Sequence, residues 1–202
     1  MFDEEGKQDV LIIIDYQKAF KNDNSIKTIK SINRLVKEFN WDRIIQTMWF
    51  NSGDINNLYM QNLNYSDCQL NGKGCGLVKM FSGAHVIPRI NMYSCATDEL
   101  LNILKYNMNV YIAGWETDAC VLATLFSLFD KGLNFYVVSE CITSKTDEID
   151  EAARKIIKRQ FGDVIISIDN ISINKKEKRK LFDLVNRQER LLKDSLVTSL
   201  LE

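Results

Sequence analysis

Short continuous apolar runs alternate along the chain with longer segments in which apolar residues recur every three or four positions. The first run, 10–14, has no polar alternation, which is typical of a strand buried on both faces. The next segment, 26–39, has apolar residues at helical spacing. Because this order repeats along the chain, the pattern predicts βαβ units and a mostly parallel sheet.

The same criteria predict the other elements of the domain. Residues 51–83 are rich in Asn, Gly, Ser and Asp, which predicts a long loop with short helices. Pro88 is expected to end the strand before it, and Gly132 is expected to end the helix before it. The remaining predicted strands are 43–49, 86–87, 110–113, 135–138 and 164–168, and the remaining predicted helices are 98–106, 119–131 and 148–159.

Residues 175–202 differ in character from the rest of the chain. A basic run at 175–180 precedes leucines spaced along one helical face, which predicts a C-terminal helical extension beside a domain spanning 1–174. We expect the extension to pack on its own domain or on a second subunit. Contact of the lysines with a nucleic acid or a lipid is the alternative, which the absence of aromatic residues within the run disfavours.

Composition narrows the class of protein. The chain has 202 residues, with 26 basic and 27 acidic side chains and a net charge of -1, so no overall field attracts a nucleic acid or an anionic membrane. The acidic beginning and the lack of a long apolar run predict neither a signal peptide nor a membrane span. We therefore expect a cytoplasmic protein with free thiols and no nucleic-acid or membrane partner.

The histidine and cysteine counts restrict the chemistry further. His85 is the one histidine, which excludes a His-rich zinc or iron site and leaves a Ser-His-Asp triad only around that residue. The five cysteines include no C-x-x-C pair, so neither a zinc ribbon nor a thioredoxin-like motif is present. Nucleophilic chemistry in this protein is therefore expected to use a thiol.

A carboxylate and a thiol fall where a parallel sheet binds its ligands, outside the carboxyl ends of its strands. Asp15 ends the first strand, and Cys120 follows the strand at 110–113. If these strands are neighbours, the two side chains face each other. A cysteine in the first helical turn would be favoured as a thiolate, and a nearby carboxylate could accept its proton. An ordinary packing cysteine and a turn-forming aspartate are the alternative interpretation.

Two segments resemble motifs of the isochorismatase-like cysteine hydrolases, a family that includes nicotinamidases. Residues 11–20 resemble φφφ-D-x-Q-x-x-F, where φ is apolar and Asp15 is the aspartate. Residues 114–124 resemble G-x-x-T-D-x-C-V-x-x-T with Cys120 as the cysteine, and this motif is the more specific one. The resemblance extends at lower density over 9–168. It implies a three-layer α/β/α sandwich on a six-stranded parallel sheet.

The resemblance also implies roles for individual residues. Cys120 would be the nucleophile that attacks an amide or similar carbonyl, and Asp15 would be the base that activates it. The backbone N–H groups of Glu116 and Cys120 would form the oxyanion hole, beside a cis peptide bond between Trp115 and Glu116. Phe20 and Trp115 would line the substrate pocket, with ordinary aromatic packing as the alternative.

The chain departs from the family at its third catalytic residue, a lysine that precedes a Tyr-Ser pair. Here Tyr93-Ser94 matches, but the nearest cation is Arg89. A guanidinium could stabilise a thiolate or an oxyanion but could not shuttle protons, because its pKa exceeds about 12. Lys79 lies further upstream and could substitute only through a different loop path.

A second departure concerns metal. Nicotinamidases carry a D-x-H metal site after the second strand, together with a downstream histidine, whereas residues 47–51 here read Thr-Met-Trp-Phe-Asn. We therefore expect no metal and no cofactor, and a nicotinamidase is disfavoured. His85 is expected to be structural. Four cysteines have no charged partner that the sequence identifies and are expected to be inert: Cys68, Cys75, Cys95 and Cys141.

The sequence thus predicts a metal-independent cysteine hydrolase that cleaves an amide-type C–N bond of a small molecule through an acyl-enzyme on Cys120. The alternative is a catalytically impaired family member acting as a binding or assembly module. Vinyl ether hydrolysis of the isochorismate type is disfavoured because the cysteine is present. A nucleotide-binding Rossmann protein is disfavoured because no G-x-G-x-x-G follows the first strand. The resemblance and the apolar C-terminal stripe predict a homodimer or higher homo-oligomer.

Overall fold

A sheet of six strands organises the part of the chain that the structure describes. The structure is a computed structural model that describes residues 8–51, 58–63, 67–69, 72 and 74–171. The predicted extension at 175–202 lies outside these residues, as do parts of the predicted loop at 51–83. The strands are β1 (Gln8–Ile14), β2 (Arg43–Trp49), β3 (His85–Arg89), β4 (Met108–Trp115), β5 (Phe135–Thr143) and β6 (Ile165–Ile166).

Helices connect the strands. A 3-10 turn (Lys18–Phe20) precedes α1, and a π-helical turn (Thr117–Val121) precedes α4. The α-helices are α1 (Asp23–Glu38), α2 (Leu58–Leu63), α3 (Asp98–Ile103), α4 (Leu122–Asp130) and α5 (Asp147–Phe161). None of the helices in the described ranges is both long and apolar enough to cross a membrane.

All strand pairs are parallel, and the order across the sheet is β3-β2-β1-β4-β5-β6. The predicted parallel α/β architecture is therefore confirmed. The chain builds the sheet outward from β1 in one direction through β2 and β3, and then restarts on the other side of β1 with β4. The strand order thus reverses between β1 and β4, which is the position where open α/β sheets form their ligand crevice.

Both faces of the sheet are covered, which explains the unbroken apolar run in β1. All side chains from Val10 to Ile14 are inaccessible to solvent. Alternate residues of a strand point to opposite faces, so one set packs against α3, α4 and α5 while the other lies on the face that α1 covers. The first set shares one apolar cluster whose members include Val10, Ile12, Ile14, Leu100, Leu125, Leu128 and Ile157.

Two helix boundaries follow from their capping residues. The side chain of Asn22 accepts the N–H of Ser25 at 2.9 Å, and Ser25 Oγ accepts the N–H of Asn22 at 2.7 Å. This capping box begins α1 immediately after the first motif. Gly132 has a φ of 67° and follows the end of α4, as predicted, and the N–H of Leu133 donates to the carbonyl of Leu128 at 3.0 Å.

Several predicted element boundaries are wrong, and one of them concerns Arg89. Pro88 does not end β3, because the strand continues to Arg89; β3 is an edge strand, where a missing N–H is tolerated. The predicted helix at 98–106 ends at Ile103, since Leu104 has an extended conformation. β5 extends beyond the predicted 135–138 to Thr143, and only Ile165 and Ile166 of the predicted strand at 164–168 pair with it.

Gly114 allows β1 and β4 to approach closely next to the first and second motifs. Its φ is 116°, and an added Cβ would lie 2.5 Å from the backbone N of Ile14 and closer still to the carbonyl oxygen. Both atoms belong to the backbone of a central strand, so neither can move without disturbing the sheet.

Gly114→Ala is therefore expected to lower the free energy of unfolding by about 3 kcal/mol or more, because the new methyl group overpacks the core. Urea denaturation measures this change. Gly76→Ala is the control, because nothing lies within 4 Å of a Cβ built at Gly76. Equal stability of the two variants would contradict the close approach of β1 and β4.

Candidate active site

Three strand ends bring the predicted reactive residues together. Asp15 follows β1 with a φ of 44°, a left-handed conformation that Asp tolerates better than most residues. Arg89 is the last residue of β3 and lies beside Trp49 of β2. Cys120 lies in the π-helical turn after β4. Since β1 and β4 are neighbours, the expected juxtaposition of Asp15 and Cys120 at the switch point is observed.

Arg89 reaches across the end of β2 and connects the other two side chains. Its Nε donates to Oδ1 of Asp15 at 3.3 Å, and its Nη2 forms an ion pair with Oδ2 of the same carboxylate. Nη2 is also 3.1 Å from Sγ of Cys120, and Nη1 donates to the carbonyl of Asn91. Asp15, Arg89 and Cys120 are only 0%, 3% and 7% exposed, so the ion pair is buried.

The surroundings of Cys120 favour the protonated thiol. Burial raises the pKa of this thiol well above its ordinary value, and the negative charge of Asp15 raises it further, while Arg89 acts in the opposite direction. The expectation of a resting thiolate at a helix start is therefore wrong. Cys120 lies in a buried π-helical turn, where desolvation outweighs the guanidinium charge.

Arg89 remains positively charged in spite of its burial. Burial alone would lower the pKa of this guanidinium, but the acidic groups Cys95, Asp15 and Cys120 raise it above its ordinary value. At neutral pH the Asp15 carboxylate supplies the compensating charge, because burial raises the pKa of the Cys95 thiol to about 12. Arg89 is therefore a permanent cation beside the sulfur of Cys120.

Thr47 holds Asp15 from the side opposite Cys120, and sequence reasoning missed it. Its hydroxyl accepts the backbone N–H of Asp15 at 3.0 Å and donates to Oδ1 of Asp15 at 2.8 Å. Oδ1 therefore receives two bonds, from Thr47 and Arg89, whereas Oδ2 receives one bond from Arg89 and has more capacity to accept a further proton. A hydroxyl within the buried strand β2, two residues before its end, was the available signal.

Cys95 also belongs to this cluster, so the expectation that it lacks a charged partner is wrong. Its Sγ lies 4.0 Å from Oδ2 of Asp15 and 3.4 Å from the hydroxyl of Thr47. Because the single proton of that hydroxyl goes to Asp15, Thr47 can only accept from Cys95, and the one proton of the Cys95 thiol has two acceptors in reach, Thr47 and Oδ2 of Asp15. Thr124 joins the two cysteine segments, since its hydroxyl accepts the N–H of Cys95 at 2.9 Å and donates to the carbonyl of Cys120 at 2.6 Å.

The other predicted candidates lie away from the cluster. Lys79 is exposed and donates to Oδ1 of Asn33 at 2.8 Å, so it does not replace the family lysine. His85 begins β3, at the end of the strand opposite Arg89, and pairs on the surface with Glu99 at 3.0 Å. Neither side chain contacts Asp15 or Cys120.

Cys120 borders a cavity of about 470 Å³. Phe20 and Trp115, the two predicted pocket residues, both border it, and the indole N–H of Trp115 donates to the hydroxyl of Thr28 at 2.8 Å. The described residues that border it are Ala19, Phe20, Lys21, Asn22, Trp49, Leu63, Asp67, Met92, Tyr93, Trp115, Glu116, Ala119, Cys120 and Lys145. The walls are mainly aromatic and apolar, which is typical of small-molecule sites.

Gln17 of the first motif fixes one wall of this cavity. Its side chain is buried and accepts the N–H of Trp49 at 2.8 Å, and it donates to the carbonyls of Trp49 and Cys75 at 2.9 and 2.7 Å. These bonds join the end of β2 to the loop that carries Cys75. Phe20 then packs on Trp49, with 6.1 Å between ring centroids.

The backbone before Cys120 has the conformation that the family resemblance implies. The peptide bond between Trp115 and Glu116 is cis. The carbonyl of Glu116 accepts the N–H groups of Ala119 and Val121 at 3.2 and 3.1 Å. These bonds close the turn that carries Cys120 against the end of β4.

The described residues do not fit a zinc site. After β2, where the resemblance would require carboxylate and imidazole ligands, the chain supplies Trp49, Phe50 and Asn51. Asn51 is buried, and its N–H donates to the carbonyl of Cys68 at 2.9 Å. Within the described part of the chain, no group of three or more His, Cys, Asp or Glu side chains is arranged to hold a metal ion.

Sequence comparison identifies related proteins. The isochorismatase domain model matches residues 9–169 of the chain. Isochorismatase family protein 1A of Dictyostelium discoideum is 29% identical over 120 residues, which is 54% of this chain and 58% of that protein. The chain therefore spans a little over half the length of this relative.

Structural comparison finds the same fold in several solved proteins. The pyrazinamidase of Pyrococcus horikoshii, solved in complex with zinc, is 22% identical with a TM-score of 0.68, covering 80% of this chain and 98% of that one. A cysteine hydrolase from Pseudomonas syringae is 12% identical with a TM-score of 0.74, covering 84% and 93%. N-carbamoylsarcosine amidase from Thermoplasma acidophilum is 15% identical with a TM-score of 0.68, covering 79% and 96%.

Arg89→Met is expected to lower the free energy of unfolding by about 3 to 5 kcal/mol, because it leaves the Asp15 carboxylate buried without its partner. Urea denaturation at neutral pH measures the change. Lys79→Met removes an exposed cation outside the cluster and is the control, with an expected effect below about 0.5 kcal/mol. A similar small effect for Arg89→Met would contradict the buried ion pair.

Thr47→Val is expected to cost about 1 to 3 kcal/mol of stability, because the buried N–H of Asp15 loses its acceptor and Oδ1 of Asp15 loses a donor. Thr47→Ser keeps the hydroxyl and should recover most of this loss. If the valine and serine variants have the same thermal stability, the methyl group of Thr47 rather than its hydroxyl supports the site.

Proposed function

The chain belongs to the isochorismatase family of hydrolases, and we propose that it hydrolyses an amide-type C–N bond of a small molecule through a covalent intermediate on Cys120. The observation that carries this proposal is the contact of Sγ of Cys120 with a buried Asp15–Arg89 ion pair at the edge of a cavity. A nucleophile, a proton acceptor and a fixed positive charge thus lie within one cluster.

The first step forms the acyl-enzyme. Oδ2 of Asp15 accepts the proton of the Cys120 thiol as Sγ bonds to the carbonyl carbon of the substrate. The carbonyl oxygen becomes an oxyanion, which the backbone N–H groups of Glu116 and Cys120 are proposed to bind. Asp15 then returns the proton to the departing nitrogen, the C–N bond breaks, and an amine or ammonia leaves a thioester on Cys120.

The second step releases the acid. A water molecule attacks the thioester carbon and gives a proton to Oδ2 of Asp15. The C–S bond breaks, the acid product leaves, and the proton returns to the sulfur of Cys120. One residue therefore takes and gives each proton in turn, and the resting enzyme is regenerated.

Arg89 acts in both steps as a fixed charge and not as a proton carrier. Its Nη2 lies 3.1 Å from Sγ, so it stabilises the negative charge that develops on sulfur when the thiol proton leaves. Because its pKa is raised further above an already high value, it exchanges no proton in the neutral range. All proton transfer is thus assigned to Asp15, and Arg89 takes the electrostatic part of the family lysine.

No step of this mechanism requires a metal ion or an organic cofactor, which makes the proposed reaction metal-independent. The five cysteines are free thiols, and this supports the proposed cytoplasmic location, where thiols stay reduced. We also propose that the substrate is a small molecule and that the protein assembles as a homo-oligomer.

A panel of small primary amides and ureido compounds tests the proposal through the release of ammonia. Cys120→Ala and Asp15→Asn are each expected to lower kcat/KM by about 10³-fold or more, because one removes the nucleophile and the other the proton acceptor. In the wild-type reaction with an amide of the panel, which is the reaction used for this test, added hydroxylamine should divert the acyl group of the thioester into a hydroxamate.

Lys79→Met is the matched control, since it changes a charge outside the cavity and should keep full activity. Turnover without hydroxamate formation would contradict the covalent step. If no compound in the panel is hydrolysed and none acylates Cys120, the alternative of a catalytically impaired binding module replaces the hydrolase proposal. The substitution of arginine for lysine is the observation that favours this alternative.

A further inference from the structure

Glu116 is one of the residues that border the cavity, and the proposed mechanism uses only its backbone N–H and not its side chain. Glu116 is half-buried, follows β4 directly and comes four residues before Cys120. Its carboxylate makes no hydrogen bond and no ion pair with any residue in the described ranges of the chain. A carboxylate in this position lacks both full hydration and a protein partner.

The surroundings of this carboxylate disfavour its charged form. Burial raises the pKa of Glu116, the neighbouring Asp118 raises it further, and Lys145 partly offsets both effects. A desolvated anion without donors loses the hydrogen bonds that water would supply, and a donor from a ligand would restore them. The site therefore favours a ligand that brings N–H groups, and most of all one that brings them with a positive charge.

We propose that Glu116 binds a cationic nitrogen group of the substrate, such as an ammonium, amidinium or guanidinium, and so determines which amides enter the site. This inference rests on the proposed function for the identity of the reaction. Glu116 is a specificity-determining residue in this assignment, and Cys120 and Asp15 remain the reacting groups.

The walls of the cavity favour the same class of ligand. Phe20 and Tyr93 border the cavity and are partly accessible to solvent, whereas Trp49 and Trp115 border it but are almost fully buried. Aromatic rings accept flat apolar groups by stacking, and their faces attract cations. A small amide with a flat apolar body and a positively charged nitrogen would therefore meet complementary surfaces on several sides.

Three other charged side chains border the cavity, and they explain why Glu116 should dominate. Lys21, Lys145 and Asp67 are exposed, so water and salt screen their charges strongly. Among the residues that the structure describes, neither Lys21 nor Lys145 forms an ion pair with Glu116. Glu116 is the least hydrated of the four, and its charge acts on a bound ligand through a medium of lower dielectric constant.

Equilibrium binding tests the assignment without any need for turnover. Benzylamine, benzyl alcohol and benzoate have similar size, carry positive, zero and negative charge, and contain no amide bond. Calorimetric titration of the wild-type protein should give benzylamine an affinity about tenfold or more above that of the other two, as expected for a charge-assisted hydrogen bond. Glu116→Gln should remove this preference and leave the affinity for benzyl alcohol within about twofold.

Asp67→Asn is the matched control, because it removes the same charge from an exposed position on the same cavity. This variant should lower the affinity for benzylamine by no more than about twofold, because the charge that it removes is on the surface and screened. Lys145→Met removes the opposing charge and should tighten benzylamine binding. Thermal unfolding of each variant establishes that folded proteins are compared.

The inference is overturned if the wild-type protein shows no preference for benzylamine, or if Asp67→Asn weakens binding as much as Glu116→Gln. Its failure can be told apart from failure of the hydrolase proposal. If benzylamine binds through Glu116 but the protein hydrolyses no amide, the inference about Glu116 stands and the hydrolase proposal fails. If the protein hydrolyses amides but has no preference for cations, the hydrolase proposal stands and the inference about Glu116 fails.

Discussion

The buried ion pair between Asp15 and Arg89 is the interaction on which the arrangement of the candidate site depends. It joins the end of β1 to the end of β3 across β2, and both partners are almost fully removed from solvent. Two charges in such a position are costly unless each satisfies the other and their remaining hydrogen bonds are made. Thr47 and the carbonyl of Asn91 supply these bonds, so the pair is fixed in orientation as well as in place.

Burial and this fixed pair together determine the state of Cys120. Burial and the carboxylate keep the thiol protonated, while the guanidinium lies beside the sulfur, where it would stabilise the negative charge of the proposed mechanism. A resting thiolate would require a stronger positive field than the site supplies. In the proposed mechanism, the thiol of Cys120 therefore loses its proton only during the reaction with substrate. One oxygen, Oδ2 of Asp15, accepts that proton.

Much of the fold could be predicted because the sheet is buried on both faces. The first strand contains a continuous apolar run, and β2 was predicted with its observed bounds of 43 and 49 although it includes Gln46 and Thr47. The ends of the strands were harder to predict, because the extension of β5 and the continuation of β3 beyond Pro88 depend on pairing with neighbouring strands. The predicted boundary at Pro88 also obscured the position of Arg89, which lies at a strand end only because β3 continues beyond the proline.

Asp15 and Cys120 could be predicted because each follows a strand and stands in a recognisable motif. Thr47 and Cys95 could not, because both look like ordinary buried residues until the chain brings them within hydrogen-bond distance of Asp15. The pKa of Cys120 was predicted in the wrong direction for a related reason. Position near a helix start is visible in sequence, whereas the desolvation that outweighs it is a property of the packed site.

The most direct test of the central claim is the ultraviolet absorbance of the thiolate, measured as a function of pH in the wild-type protein and in Cys120→Ala. The difference between the two curves reports the ionisation of Cys120 alone. The account predicts no thiolate signal from Cys120 at neutral pH and a rise only above the ordinary pKa of a cysteine, about 8.5. A thiolate signal from Cys120 already present at neutral pH would contradict the account.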